Sequence, residues 1–235
     1  MTADELVDFW KEAGASTVHP SDKAHVGNHF ATDLRPVPWA GPLKAAKVFF
    51  LFLNPGLTDQ DTCCEAVNAE FLATLQENLL GMQPYFYLLE RFSDHPGYRW
   101  AKRIFGAGIS EQHTQDICVL QLVPYHSRYG SLAKAVAPRL PSTTAIRGFV
   151  LDFLLPRARA GEIGIVVARS RKLWGLGDES EGGTLVIYTG WECRSAFQTA
   201  NSRGGKLARR LISTARQAAQ MPAKTAIMNE AKDFQ

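Results

Sequence analysis

The chain has 235 residues, 46% of them hydrophobic and 21% charged, with 26 Lys plus Arg against 23 Asp plus Glu. A chain of this make-up is long enough to bury its own core, which excludes a disordered polymer, a collagen-like repeat and a small disulfide scaffold. The net charge of +3 is mild but unevenly placed: from Cys193 to Asn229 there is no acidic residue, while Arg194, Arg203, Lys206, Arg209, Arg210, Arg216 and Lys224 are basic. Such a one-signed stretch suits phosphate, and equally suits a solvated helix face.

In chain order, residues 4–13 predict a short amphipathic helix with Leu6, Phe9 and Trp10 on one face. Residues 14–46 are punctuated by Pro20, Pro36, Pro38 and Pro42 and predict an irregular arm wrapped over a core. His19, His25 and His29 fall in this arm without carboxylate or thiol partners at ligand spacing, so they read as loop histidines and no metal site is expected. Residues 48–53 are apolar throughout and predict a strand buried on both faces, as in a parallel sheet under helices. It ends at Asn54-Pro55-Gly56, where proline holds Asn54 out of the helical region. Residues 64–80 show helical spacing (Val67, Phe71, Leu75, Leu79) with Gly81 as a stop. Tyr85-Phe86-Tyr87 follows Pro84, and a further helix is expected over 97–105.

A second buried strand is expected over 117–123, leading into Pro124-Tyr125-His126-Ser127. Residues 142–160 predict a helix interrupted at Pro156, and 163–167 a third strand leading into Arg169-Ser170-Arg171. Residues 184–188 predict a fourth strand, 204–220 a basic helix, and the tail after Pro222 frays. Strands alternating with helices predict an α/β fold: a three-layer α/β/α sandwich with a central, mostly parallel four-stranded sheet. The expected organisation is an arm over 1–46, the α/β/α domain over 47–221 and a tail over 222–235. Ligands in such sheets bind beyond the carboxyl ends of the strands, which is where the polar clusters fall.

Several classes lose their support. There is no Walker phosphate loop, no G-x-G-x-x-G and no G-x-S-x-G elbow, which speaks against nucleotide hydrolysis, dinucleotide binding and an α/β-hydrolase triad. Cys63, Cys64, Cys118 and Cys193 lack C-x-x-C spacing and read as free thiols of a reducing compartment. No apolar run reaches membrane length, and Met1-Thr2-Ala3-Asp4-Glu5 lacks the apolar region of a signal peptide, so a cytoplasmic location without a membrane partner is expected.

Phe52-Leu53-Asn54-Pro55-Gly56 resembles the first motif of the uracil-DNA glycosylase superfamily, most of all its mismatch-specific branch. The ordered set formed with Pro84-Tyr85-Phe86, Pro124-Tyr125-His126-Ser127, Lys172-Leu173-Trp174 and Asn201-Ser202 resembles a poorly characterised bacterial branch, over about residues 45–212. The resemblance implies the same α/β/α architecture, DNA as partner, no cofactor and no obligate protein partner. It implies hydrolysis of an N-glycosidic bond after the base is flipped out, with Asn54 positioning the attacking water.

On this reading Asn54, Asp59 and His126 are the catalytic candidates. Asp59 and Asp61 share one loop, and either would activate water or stabilise a sugar cation, or else cap a helix; Asp59 is the nearer to the motif. His126 would polarise a base carbonyl, or be braced by a backbone carbonyl. Gly56 would let the backbone approach a base, and Tyr85, Phe86 and Tyr125 are candidates for its pocket, with Tyr87 beside them. Ser127, Arg169, Arg171, Asn201, Ser202, Arg203 and Lys206 are candidates for DNA contact, each with a helix cap or an exposed side chain as its plain alternative. Uracil-specific members end the second strand with an Asn that reads the pyrimidine edge, whereas Leu122-Val123-Pro124 offers no such side chain, and their late His-Pro-Ser is absent. The expected substrate is therefore a modified base, such as a hydroxymethylated or glucosylated cytosine of phage DNA, with a role in antiphage defence. A uracil or mismatch repair glycosylase, a non-catalytic DNA-binding module and an enzyme of free nucleosides are the alternatives.

Overall fold

The computed structural model describes residues 1–28, 30–177 and 182–220; His29 and the tail from 222 lie outside the described residues. The chain opens with α1 (Ala3–Lys11), started by a reciprocal capping box between Thr2 and Glu5 and burying Leu6, Val7 and Trp10. The arm makes one turn at Pro20–Asp22 and a two-residue strand, β1 (Trp39–Ala40). Then come β2 (Val48–Phe52), α2 (Asp59–Val67), α3 (Ala69–Asn78), α4 (Pro96–Phe105), β3 (Ile117–Gln121) and α5 (Gly130–Val136). Next, α6 (Pro141–Gly148), a π-helical stretch (Phe149–Leu154) and α7 (Leu155–Arg159) form one helical run. The chain continues as β4 (Gly164–Val167), α8 (Arg171–Trp174), β5 (Leu185–Ile187), α9 (Gly190–Ser195) and α10 (Arg203–Gln220).

The fold is α/β with a five-stranded mixed sheet in the order β1-β3-β2-β4-β5. β3, β2, β4 and β5 pair in parallel, and β1 pairs antiparallel with β3, Trp39 opposite Leu120. The sheet thus has one strand more than expected. The extra strand is two residues long, too short for any periodicity, and it sits among the arm's prolines. Alternate residues of β2 enter two separate cores. Phe49 and Leu51 pack with Leu6, Trp10 and Phe149, while Phe50 and Phe52 pack with Phe71, Ile104 and Leu207. Burial on both faces explains the unbroken apolar run, and each large side chain so buried contributes about 1.5–3 kcal/mol.

Two expected helices differ in detail. The segment 64–80 is two helices, broken at Asn68, whose backbone leaves the helical region (φ −107°, ψ 90°) while its side chain accepts from the Phe71 N–H at 2.9 Å to start α3. The run is not broken at Pro156 itself: the irregularity is the π-helical stretch Phe149–Leu154 directly before it, and the helix continues through Pro156 to Arg159. α10 packs against the sheet through glycine: a Cβ on Gly204 would fall 2.6 Å from Val166 Cγ1 of β4. Its start lies beside Val166 and Tyr188, and Arg216 near its end reaches Asp116 just before β3. α10 therefore runs from the carboxyl ends of the strands to their amino ends.

From β2 the chain goes to β3 on one side and then returns to β4 on the other side of β2. Such a reversal leaves a crevice beyond the carboxyl ends of the strands where the connections part.

Candidate functional site

The loops leaving β2, β3 and β4 enclose a cavity of about 290 Å³ at this crevice. That is close to the lower end of the roughly 300–1,000 Å³ usual for small-ligand sites. Asn54, Gly56, Asp61, His126, Ser127 and Arg169 all reach it. The exits of β2 and β3 are zipped together by the backbone: Val123 N–H donates to Leu53 O at 2.8 Å and Ser127 N–H to Pro55 O at 3.3 Å. The two motifs noticed in the sequence are thereby held face to face.

The Asn54 amide is fixed. Its Nδ2 donates to Pro55 O at 2.6 Å and to Ser127 Oγ at 3.0 Å, so both N–H bonds are engaged and Oδ1 is the atom left for a ligand. Ser127 Oγ in turn donates to Tyr129 O at 3.2 Å. His126 lies 2.8 Å from Gly56 O through Nδ1, which places its proton there and leaves Nε2 as an acceptor. Burial holds the His126 imidazole below its ordinary range, so the ring is neutral near pH 7. A Cβ on Gly56 would meet no atom within 4 Å, so backbone conformation does not require glycine there.

Three buried polar atoms of the cavity wall have no hydrogen-bond partner within the protein: His126 Nε2, Tyr85 Oη and Gln121 Oε1. Buried polar atoms are nearly always paired, and three of the unpaired ones belong to residues of this one cavity wall. Burial raises the Tyr85 phenol well above its usual range, which keeps its O–H as a donor. Gln121 is the residue the sequence reading passed over. It sits at the end of β3 opposite Phe52 and supplies the side-chain amide that Leu122-Val123-Pro124 lacks. The signal was there: it is the one polar residue of Ile117-Cys118-Val119-Leu120-Gln121-Leu122-Val123. The aromatic wall is Tyr85, Tyr87, Phe52 and Trp100, the last two edge to face with centroids 5.2 Å apart. Gly97 makes room for Tyr87, since a Cβ there would fall 2.3 Å from its ring.

Other candidates lie elsewhere. Phe86 is fully buried against Phe71 and does not line the cavity. Tyr125 is buried in the other core, where its Oη donates to Asp22 at 2.6 Å. Asp59 is exposed and ion-paired with Arg128, while Asp61, buried, faces the cavity and accepts from Thr58 N–H at 2.5 Å and Thr58 Oγ at 2.7 Å. Behind it, Glu65 keeps one oxygen unpaired, and burial lifts its carboxyl to about 7. Ser202 caps α10, accepting from Gly205 N–H at 3.0 Å, and Arg203 is held by Glu192 at 2.8 Å and by Ile187 O at 2.6 Å. Asn201, Ser202, Arg203 and Lys206 line neither this cavity nor its neighbour.

That neighbour is a second cavity of about 640 Å³ beyond β4 and β5, joined to the first through shared Leu53, Gly130 and Arg169; Arg171 also lines it. Among the described residues no three His, Cys, Asp or Glu side chains gather as a metal site, and no helix is long and apolar enough to cross a membrane. Compared with protein-family models, curated proteins and solved structures, the chain finds no match in any of the three.

Proposed function

We propose that this chain is a DNA glycosylase that hydrolyses the N-glycosidic bond of a flipped base. The observation that carries the reading is the Asn54 amide, locked by Pro55 O and Ser127 Oγ with Oδ1 left over, at the mouth of an aromatic cavity. The resemblance of the Asn-Pro-Gly segment to the uracil-DNA glycosylase superfamily supports it. So do the two cores on opposite faces of β2, which fit the three-layer sandwich of that superfamily.

In this mechanism Asn54 Oδ1 accepts an O–H of the attacking water. The water oxygen bonds to C1′ as the C1′–N bond breaks, the bonding pair leaves with the base, and the proton that the water gives up ends on the departing base. The Asp61 carboxylate offsets the positive charge that develops on the sugar, the task the sequence reading gave to Asp59. His126 serves as an acceptor through Nε2, and Tyr85 O–H and the Gln121 amide pair with the polar edge of the base. No cofactor enters. Four free cysteines support a reducing, cytoplasmic location.

Gln121 alters the weighing of substrates. With a side-chain amide in the cavity, plain uracil or a mismatched pyrimidine stands beside a modified cytosine, and a repair role beside a defence role. Abasic-site formation on DNAs carrying uracil, mismatched thymine, or hydroxymethylated or glucosylated cytosine separates them. Alkali-labile cleavage at one base, lost with Asn54→Ala, is the expected result. Binding without cleavage anywhere on the panel would make the chain a binding module.

A further inference from the structure

We propose that the inner end of the first cavity is a recess for a compact hydrocarbon substituent on the base, so that the substrate is a 5-alkylated pyrimidine. The proposal rests on the glycosylase reading for the base itself and goes beyond it in choosing the substituent.

The polar side chains at the mouth of this cavity come from the segments that leave the strands. Asn54 and Asp61 follow β2, His126, Ser127 and Arg128 follow β3, and Arg169 follows β4. The strand bodies continue the wall away from those segments. From Gln121, opposite Phe52, β3 leads back to Val119, about 7 Å further from the crevice and on the same face. Val119 lies opposite Ala40 of β1, and Val37 and Ile104 complete this end. These four side chains carry no polar atom, and each is at most 3% exposed.

The walls of the recess are fixed. Asn78 pins β1, donating through Nδ2 to Trp39 O at 2.6 Å and accepting from Gly41 N–H at 3.2 Å. The arm is tied to β3 by Gln121 N–H to Pro38 O and by Val37 N–H to Pro124 O, both at 2.9 Å. Alanine at position 40 leaves the space that a larger side chain opposite Val119 would fill. A six-membered ring is held by about 150 Å³, about half of the 290 Å³ present, so a bare pyrimidine leaves room unused.

Direction selects the ring position. N1 carries the deoxyribose and stays beside Asn54, so C4 and C5, across the ring, lead inward. The group on C4 meets Gln121, at the level of Phe52, and the substituent on C5 passes on to Val119 and Ala40. A methyl or ethyl group exchanges water for carbon there and gains by it. A hydroxymethyl group or a sugar would lose its hydration and meet only carbon. The recess thus favours a hydrocarbon-bearing base over hydroxymethylated and glucosylated cytosine.

The test uses uracil, thymine, 5-ethyluracil and 5-hydroxymethyluracil. They are offered first as free bases, titrated into the full chain by ligand-observed NMR, then as single sites in duplex DNA under single-turnover conditions. Each added carbon should tighten binding about fourfold. 5-Hydroxymethyluracil should bind at least about tenfold more weakly than 5-ethyluracil. Ala40→Val, which fills the recess, should abolish the gain from ethyl while uracil binds as before. Ile104→Val, a milder change that enlarges it, should favour 5-propyluracil over 5-ethyluracil. Excision in the same order sustains both the recess and the glycosylase reading. Free bases bound in that order, with no abasic site on any DNA, sustain the recess and defeat the glycosylase reading. Excision that ignores the substituent or prefers hydroxymethyl, or an unchanged order in Ala40→Val, overturns the recess and leaves the glycosylase reading standing. Absence of both free-base binding and excision overturns both.

Discussion

The two cavities share a wall and differ in almost every other respect. The first is walled by aromatic rings, and its polar lining combines the neutral Asn54, His126, Tyr85 and Gln121 side chains, the last three with an atom unpaired within the protein, with the charged Asp61, Arg128 and Arg169. The second is wider and mainly apolar in its surface, although Lys134, Arg169, Arg171, Lys172 and Arg194 are among its lining residues. A neutral planar group loses little on leaving water for the first, provided its own polar edge meets those atoms, whereas a phosphate would lose its hydration there and meet the Asp61 carboxylate as well as Arg128 and Arg169. The difference teaches that the crevice beyond this sheet is divided unevenly, with the polar side chains and the aromatic rings gathered around the narrower half.

The sharpest way to break that comparison is Asn54→Ala. If the first cavity does chemistry, turnover should fall on the order of 10²–10⁴-fold while oligonucleotide affinity stays. A loss of affinity of similar size would mean that Asn54 holds the substrate instead. The readout is abasic-site formation under single-turnover conditions beside equilibrium binding.

Gln121→Leu is the next largest. It removes an orphaned buried acceptor, so the folded protein should gain about 1 kcal/mol in urea unfolding. The base loses its hydrogen-bond partner, so kcat/KM should fall about 10- to 100-fold and discrimination among pyrimidines should relax. Opposite signs for stability and activity are the mark of a residue kept for its ligand. A loss of both would make Gln121 structural.

The contrast between the cavities also shows how far a sequence carries. β2 to β5 are legible because continuous apolar runs of that length have few other uses in a folded chain, and the convergence of Asn54, His126, Ser127 and Arg169 follows once those strands lie side by side. Which aromatic faces the cavity was not legible. Tyr125 turns away because Asp22, 103 residues earlier, accepts its hydroxyl, and Tyr87 turns in because Gly97 leaves it room. The arginines of α10 looked available because Glu192 and Asp116, which hold two of them, lie far off in sequence or outside the basic run. Pairing across the fold is decided by tertiary packing, and no local pattern announces it.

A third test uses pH. Glu65 lies one helical turn beyond Asp61, behind the first cavity, and burial lifts its carboxyl from 4.5 to about 7. An acid whose folded value is raised binds its proton more tightly when folded. Stability is therefore fully present below the unfolded value and declines as pH rises to about 7, by about 3 kcal/mol in all. His95, next to the lining residue Pro96, is lowered by burial from 6.5 to about 4, so its contribution is lost as pH falls through that window. The two slopes oppose each other where they overlap, and His126 and His113, also lowered by burial, add to the His95 side, so stability in the intact protein should rise gently with pH there. Glu65→Gln should uncover the His95 slope and raise stability at neutral pH by up to about 3 kcal/mol. Denaturant unfolding across the window reads both, and an unchanged profile would mean that Glu65 is ionised and solvated.

The smallest expected effect is at Asp59. Its carboxylate is 85% exposed and paired with Arg128, itself 53% exposed, at the rim of the first cavity. An exposed pair of this kind is screened by water and salt, so Asp59→Asn should change stability by no more than about 0.5 kcal/mol. If the cavity wall ends at Asp61, turnover should hardly change either, since Arg128 is released and nothing inside is rearranged. A large fall in kcat at unchanged affinity would mean that the rim closes on the substrate and brings Asp59 to the sugar. The boundary of the first cavity would then lie outside Asp59 rather than inside it. Thr58→Ala refines the same point from within, because it strips one hydrogen bond from Asp61 and leaves Asp59 in place. A fall in kcat with Thr58→Ala and none with Asp59→Asn would identify Asp61 as the carboxylate that faces the reacting sugar.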